Sequence, residues 1–114
     1  MPTIYKICHI SLWREAERDG TFRGSEADLR DGFIHFSSAE QVAETAARHF
    51  AGERDLVLLR VDAARFGDRL KWEPSRGGAL FPHLYGDLDP VAVIKVDALP
   101  LGPDGKHRFP PLPR

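Results

Sequence analysis

The sequence is short of cysteine, of net charge and of long hydrophobic runs, and each shortage excludes a class of protein. Cys8 is the single cysteine and cannot form an internal disulfide, which argues against a disulfide-stabilised secreted domain and favours the cytoplasm. The formal net charge of −1 predicts no general attraction to nucleic acid or to an anionic membrane. No apolar run approaches the roughly 20 residues that a membrane-spanning helix needs, so no membrane segment is expected.

Sequence motifs for nucleotide and metal chemistry are absent as well. The chain has neither the phosphate-binding pattern G-x-x-x-x-G-K-[ST] nor the dinucleotide-binding pattern G-x-G-x-x-G. It has no H-E-x-x-H pair, and one cysteine excludes the usual cysteine zinc sites, so no metal site is predicted. What remains is a chain of 114 residues with 42% hydrophobic content, typical of one globular domain. We expect a monomer or weak dimer that binds a small molecule.

Hydrophobic periodicity predicts an α+β fold. Strands are expected at residues 3–10, 31–38, 55–62, 70–73, 80–85 and 91–96, and two main helices at residues 11–18 and 38–50. Most strands lie in the second half of the chain, which favours a small mixed, mostly antiparallel sheet over a doubly wound parallel one. Residues 1–99 are predicted to form the globular domain. The proline-rich residues 100–114 are predicted to be a tail that lies over this domain or trails from it.

Turn and capping residues predict how several elements begin and end. Ser11 is a candidate N-cap for the first helix, and Ser38 with Gln41 matches a capping box for the second. Residues 21–30 are polar without clear periodicity, so they are predicted to be a loop with one turn. Pro82 cannot donate a backbone hydrogen bond, which predicts an edge strand or a strand end at that position.

The most informative stretch is Asp31-Gly-Phe-Ile-His-Phe-Ser-Ser38, a short apolar strand after an Asp-Gly turn. Because side chains alternate along a strand, His35 and Ser37 lie on the same face. Polar groups in so apolar a segment need partners, since burying one unpaired costs about 1–3 kcal/mol. These two side chains either bond to neighbouring groups inside the core or line a pocket.

A second segment, Leu80-Phe-Pro-His-Leu-Tyr-Gly86, repeats this spacing with His83 and Tyr85. Neighbouring strands lie about 4.8 Å apart, so pairing the two segments would bring all four polar side chains to one cavity. There His35 and His83 could divide proton donation and acceptance, and Tyr85 could bond to a ligand or stack on it. The alternative is a network of satisfied polar groups inside the core.

Three further positions are candidates for ligand contacts. Trp72 precedes a glycine-containing loop and could wall a pocket, while Glu73 could be a general base or accept a hydrogen bond from a ribose hydroxyl. Arg76 is followed by two glycines and could bind a phosphate or a carboxylate. The alternatives are core packing for Trp72, a salt bridge for Glu73 and a solvated loop position for Arg76.

Taken together, these segments resemble a known family. The segments Ile4–Ile7, Asp31–Ser37, Trp72-Glu73 and Phe81–Gly86 are as a set similar to the mainly bacterial family of domains of unknown function DUF952. The resemblance extends over about residues 4–99 and implies a compact variant of the ADP-ribosyltransferase fold, with a split, antiparallel-rich sheet. In that superfamily the cleft holds a nicotinamide dinucleotide, which is therefore the cofactor that the resemblance implies.

The same resemblance implies which residues face the ligand. By order along the chain, Lys6 stands at the first of three site positions, Ser37 or Ser38 at the second and His83 near the third. Lys6 replaces a histidine that is common at the first position, and His83 replaces the usual glutamate. These differences look more like the RNA 2′-phosphotransferase branch of the superfamily, or like a cleft used for another ligand.

Three functions are compatible with these residues. The first is a transferase-like enzyme that acts on a nucleotide-like or phosphorylated small molecule, with His35 and His83 as acid and base. The second is a non-catalytic module that binds a nucleotide or another anion in the same cleft. The third is an interaction protein in which the polar cluster is structural.

Overall fold

The computed structural model describes residues 2–114, except for the side chain of Arg76. Its α-helices are Ile10–Asp19 (α1), Glu26–Asp31 (α2) and Val42–His49 (α3). Its strands are Thr3–His9 (β1), Ile34–His35 (β2), Ser37–Ser38 (β3), Leu56–Asp62 (β4), Leu70–Pro74 (β5), Leu80–Leu84 (β6) and Val93–Ala98 (β7). The α+β class is confirmed, with α2 as a helix that was not predicted.

The strands form two sheets that meet at Phe36. One sheet has the order β3-β1-β4-β7 and the other has the order β2-β6-β5. Phe36 lies between β2 and β3 and donates its amide to the Pro82 carbonyl at 3.0 Å, which links the two sheets. Every strand pair among residues 2–114 is antiparallel, so the expected mixed character is wrong. Parallel neighbours need a crossover connection of about a dozen or more residues, and residues 75–79 between β5 and β6 are too few for one.

Two apolar clusters cover the opposite faces of β4. Leu59 packs with Trp13 of α1 in the first cluster, and Leu58 packs with Tyr5 of β1 in the second. The prediction that this strand is buried on both faces is confirmed. Cys8 belongs to the first cluster, and burial raises the pKa of its thiol to about 12, so it is not a thiolate at neutral pH.

Two predicted helix starts are displaced in the structure. α1 begins at Ile10, directly after β1, with His9 and not Ser11 at its N-cap. The Ile10 amide is still bonded on the β4 side at 2.8 Å, so strand pairing continues up to the first residue of the helix. The Ser38 amide does donate to the Gln41 side chain at 2.9 Å, as a capping box requires, but Gln41 itself is the N-cap of α3.

β6 lies in the centre of its sheet, although Pro82 predicts an edge. In an antiparallel strand the N–H and C=O positions of one residue point to the same neighbour, and the Pro82 carbonyl points to Phe36. β2 has already ended at His35. The missing N–H of Pro82 therefore faces Phe36, one residue beyond the end of β2, so no hydrogen bond within the β2–β6 pair is lost.

The proline-rich residues 100–114 lie over the second apolar cluster. Phe109 and Leu112 pack against this cluster, and the Tyr5 hydroxyl donates to the Pro113 carbonyl at 2.5 Å. This segment covers the α3 side of the first sheet. None of the helices described above is long and apolar enough to cross a membrane.

Candidate functional site

A cavity of about 740 Å³ lies beside the junction of the two sheets. Its wall contains residues of β1, β2, β3 and β6 and of the helices α1, α2 and α3. Lys6, His35, Ser37 and His83, which the sequence or the resemblance singled out, all line it. The predicted pairing of the two histidine segments is confirmed, because His35 lies opposite His83 in the register of β2 and β6.

β1 presents part of its backbone to this cavity. β3 pairs only with Ile4 and Tyr5, whereas Ile7 and His9 continue along the cavity wall. Successive residues of a strand direct their backbone groups to opposite neighbours. The Ile10 amide bonds on the β4 side, so the backbone groups of Ile7 and His9 point away from β4. A ligand in the cavity therefore meets backbone donors and acceptors as well as side chains.

Asp28 of α2 is the centre of the polar network. Its Oδ2 lies 2.7 Å from Lys6 Nζ and accepts the Ser25 amide at 2.8 Å. Its Oδ1 lies 2.6 Å from His35 Nδ1 and accepts the His35 amide at 3.1 Å. The side chains of Lys6 and Asp28 are only 7% and 1% exposed, so this is a buried ion pair with both carboxylate oxygens fully used.

These contacts hold Asp28 in its ionised form. Burial by itself disfavours the carboxylate, but the hydrogen bond with His35 and the Lys6 ammonium outweigh it and hold the pKa of Asp28 well below its usual range. Removing one partner of a buried ion pair leaves an uncompensated charge and costs about 3–5 kcal/mol. Asp28 therefore fixes Lys6 and His35 in place at the cavity wall.

His35 is bonded through both of its ring nitrogens. Nδ1 faces Asp28, and Nε2 lies 3.0 Å from Asp31 Oδ2. A neutral imidazole has one N–H to donate, whereas an imidazolium has two. Two carboxylate partners therefore suit the imidazolium form. With no free ring nitrogen in this arrangement, His35 is suited to holding positive charge at the wall and less suited to exchanging a proton with a ligand.

His83 has the opposite arrangement. Its Nδ1 lies 2.8 Å from Glu73 Oε1, which also accepts the Tyr85 hydroxyl at 2.7 Å. Within the described part of the chain, Nε2 of His83 has no hydrogen-bond partner, and this side chain lines the cavity. The bonds from His83 and Tyr85 hold the pKa of Glu73 below its usual range. Bonding to this carboxylate raises the pKa of the Tyr85 hydroxyl.

Phe33 holds the two histidine rings and Tyr85 together as an aromatic group. Its ring stacks on His83 at a centroid distance of 4.0 Å and lies 4.6 Å from His35. Tyr85 lies 5.3 Å away on the same ring, and the two histidine rings are 5.5 Å apart. Such contacts restrict the ring orientations, so the free nitrogen of His83 has a defined direction.

The other predicted residues are not brought to the cavity in the same way. Ser37 lies at the wall with its Oγ 2.8 Å from Thr45 Oγ1. Four predicted residues are not among the described residues that line the cavity: Ser38, Trp72, Glu73 and Tyr85. The expectation that Tyr85 joins His35, Ser37 and His83 at one cavity is therefore wrong. Strand alternation turns Trp72 to the opposite face of β5 from Glu73. The expectation that Trp72 walls the pocket is thus corrected. The side chain of Arg76 lies outside the described residues.

Sequence reasoning missed Asp28 because it predicted a loop over residues 21–30, and it missed Asp31 because it assigned this residue to the turn before a strand and not to the end of α2. α2 begins with a capping box, in which Ser25 Oγ accepts the Asp28 amide at 3.3 Å and Asp28 Oδ2 accepts the Ser25 amide at 2.8 Å. The spacing Ser25-x-x-Asp28 follows the capping-box pattern, with aspartate in place of the more usual glutamate. That pattern is the signal that could have found the helix.

We expect Ser25→Ala to lower the free energy of unfolding by about 1 kcal/mol, because it removes the cap of the helix that carries Asp28. Urea denaturation followed by circular dichroism measures this loss. Ser11→Ala is the matched control, since Ser11 caps no helix and should cost less than about 0.5 kcal/mol. Equal losses in the two variants would contradict the capping role of Ser25.

A family profile matches most of the chain. The profile described as "Protein of unknown function (DUF952)" matches residues 7–96, a range that includes Asp28, both site histidines and Glu73. No curated protein matches the chain. The comparison thus supports the resemblance drawn from the sequence motifs and carries no activity with it.

Solved structures of a protein from Caulobacter crescentus are similar to the chain. The X-ray crystal structure of protein CC0527 shares 50% sequence identity, with a TM-score of 0.90 and coverage of 93% of each chain. The solution NMR structure of CC0527 shares 51% identity, with a TM-score of 0.84 and coverage of 93% of this chain and 91% of that chain. The fold is therefore shared with an experimentally determined protein.

Proposed function

The chain belongs to the DUF952 family, and from its site we propose that it is an acid–base enzyme acting on a nucleotide-like or phosphorylated small molecule. The observation that carries this proposal is His83, which Glu73 orients through Nδ1 while Nε2 is left for a ligand in the cavity. A carboxylate that holds one ring nitrogen leaves the other correctly placed for proton transfer.

The other wall residues have complementary roles in this proposal. His83 takes a proton from the ligand or gives one to it, and Glu73 is a positioning residue that acts through His83. The ring of His35 and the side chain of Lys6 are hydrogen-bond donors held in fixed positions at the wall, where they stabilise negative charge that develops on the reacting group. Their buried partner Asp28 keeps both groups from reorganising during the reaction.

The size and chemistry of the cavity support a ligand as large as a nucleotide. Its volume of about 740 Å³ lies within the roughly 300–1,000 Å³ of typical small-molecule sites. Apolar side chains such as Phe36 and Phe81 line it together with the charged groups. This mixture suits a molecule with a ring system and a polar or anionic group.

An ADP-ribosyltransferase-like fold belongs to the same proposal. Its support is that Lys6, Ser37 and His83, the residues at the three positions implied by the resemblance, line one cavity. His83 stands where a glutamate is usual, yet it is itself paired with Glu73 at 2.8 Å, so a carboxylate is still adjacent to the third position. A nicotinamide dinucleotide is accordingly one of the ligands to test.

A non-catalytic binding module is the second candidate. Lys6, Asp28 and His35 are already satisfied by one another, which is a feature of a rigid recognition site as much as of a catalytic one. The free backbone edge at Ile7 and His9 would serve recognition equally well. In this case the cavity binds its ligand without converting it.

A thermal-shift screen against nucleotides, dinucleotides and phosphosugars tests the proposed function. A ligand at 100 times its dissociation constant adds about 2.7 kcal/mol, which raises the melting temperature of a domain of this size by several degrees. We expect at least one nucleotide or phosphosugar to stabilise the wild type and then to be consumed when incubated with it. Stabilisation without consumption would favour the binding module, and no stabilisation by any member of the panel would contradict both.

A further inference from the structure

The two ring nitrogens of His35 are held by carboxylates in very different surroundings. Nδ1 is bonded to Asp28, whose side chain is 1% exposed and has three other contacts. Nε2 is bonded at 3.0 Å to Asp31, whose side chain is 36% exposed and lies in the last turn of α2. The inner partner is therefore fixed, while the outer partner can be exchanged.

Asp31 is shared between two cationic groups. Its Oδ2 lies 3.0 Å from His35 Nε2, and its Oδ1 accepts from Arg30 Nε at 3.3 Å. Asp31, Arg30 and His35 all line the cavity. An imidazolium and a guanidinium that face one carboxylate are the donors with which proteins bind the phosphate or carboxylate of a ligand.

From this geometry we propose that Asp31 occupies the position of a ligand anion, and that a phosphate or carboxylate of the ligand replaces Asp31 on His35 and Arg30. This inference rests on the proposed function, because it takes the same cavity as the ligand site, and it adds which side chains receive the anionic group. The proposal narrows the class of expected ligands to small molecules that carry an anionic group at the end that contacts α2.

Exchange at this position is energetically accessible. Exposed ion pairs contribute little to stability and are screened by salt, so the release of Asp31 does not disturb the fold. Asp28 stays bonded to Nδ1 throughout and keeps the imidazolium in place. A phosphate brings more acceptor oxygens than the carboxylate that it displaces, which favours the exchange when the rest of the ligand fills the cavity.

Isothermal titration of the full chain with inorganic pyrophosphate tests this proposal. Asp31→Ala removes the competing anion, so we expect pyrophosphate to bind about fivefold more tightly than it binds to the wild type, equivalent to about 1 kcal/mol. Glu44→Ala is the matched control, because Glu44 is an exposed carboxylate in an ion pair with Arg48, and its loss changes the net charge equally. This control should change the affinity by less than twofold.

A parallel titration with citrate separates the two sources of the anion. A gain for pyrophosphate alone assigns the position to phosphoryl groups, and a gain for both assigns it to anions in general. The proposal is overturned if Asp31→Ala and Glu44→Ala bind pyrophosphate with equal affinity. It is also overturned if neither variant binds pyrophosphate. Because this titration measures binding and not turnover, the gain in pyrophosphate affinity should persist in the double variant Asp31→Ala/His83→Asn. If His83 is not an acid or base, only the turnover measurement would show it.

Discussion

Replacing Asp28 with asparagine is expected to lower the free energy of unfolding by about 3–5 kcal/mol, a large fraction of the roughly 5–15 kcal/mol that stabilises a domain. The substitution keeps the shape of the side chain but removes its charge, so the buried Lys6 ammonium loses its counter-ion. The asparagine amide group also cannot accept the bonds that one carboxylate oxygen accepts. Thermal unfolding should show a melting temperature lower by about 10–20 °C.

Two comparisons make this expectation specific to the buried network. Asp31→Asn, which removes the exposed partner of the same histidine, should cost no more than about 1 kcal/mol. The effect of Asp28→Asn should also depend on pH. The pKa of Asp28 is lowered in the folded state, so its contribution is complete above the unfolded value of about 3.9 and is lost as the pH falls through the folded value.

The stability difference between wild type and Asp28→Asn should therefore be full at pH 6 and shrink below about pH 4. Urea denaturation at pH 6, pH 4 and pH 3 measures it directly. If Asp28→Asn proved no more destabilising than Asp31→Asn, the network would not be the fixed support of the site. A difference that stayed constant down to pH 3 would show that the carboxylate charge is not what stabilises this region.

His83→Asn is expected to reduce turnover of the screened ligand by about 10²–10⁴-fold, which is the range for loss of a general acid or base. Asparagine removes the imidazole ring, which lines the cavity and whose Nδ1 is bonded to Glu73. The ligand should still bind, because Lys6, His35 and the backbone edge of β1 are unchanged. Conversion of the ligand followed by ³¹P NMR, beside its dissociation constant, separates the two effects.

Two matched variants test whether His83 itself, and not its neighbours, is the acid or base. Glu73→Gln keeps a hydrogen-bond acceptor near Nδ1 but removes its charge, so it should reduce turnover less than His83→Asn does. Tyr85→Phe removes only the second bond to Glu73 and should change turnover by less than about tenfold. Wild-type turnover in His83→Asn, in protein that is folded by circular dichroism, would rule out an acid–base role for this histidine.

The pairing of the two histidine segments could be predicted because its signal is local. Both segments carry polar residues at alternate positions of an apolar strand, and the structure puts His35 directly opposite His83. The class of fold followed from similar local patterns. The central position of the strand that contains Pro82 could not be predicted from such patterns. A proline is tolerated there because of where β2 ends, and β2 lies far away in the sequence.

The polar network was harder to predict because its partners come from separate segments. Asp28 joins α2 to Lys6 of β1 and to His35 of β2, and nothing in the sequence near Asp28 indicates those contacts. Its capping role with Ser25 was a local signal and would have revealed the helix. Similarly, alternation along β5 decides that Glu73 and not Trp72 faces His83, once the register with β6 is known.

An NMR titration of the isotope-labelled protein with adenosine monophosphate tests the central claim most directly, because it reports where a phosphorylated ligand binds. We expect the largest chemical-shift changes at the Ile7 backbone amide and at the ring signals of His35 and His83. Shift changes confined to the second groove, between α3 and the tail at Ala47 and Phe109, would contradict it. Such a result would show that the cavity with the two histidines is not the ligand site.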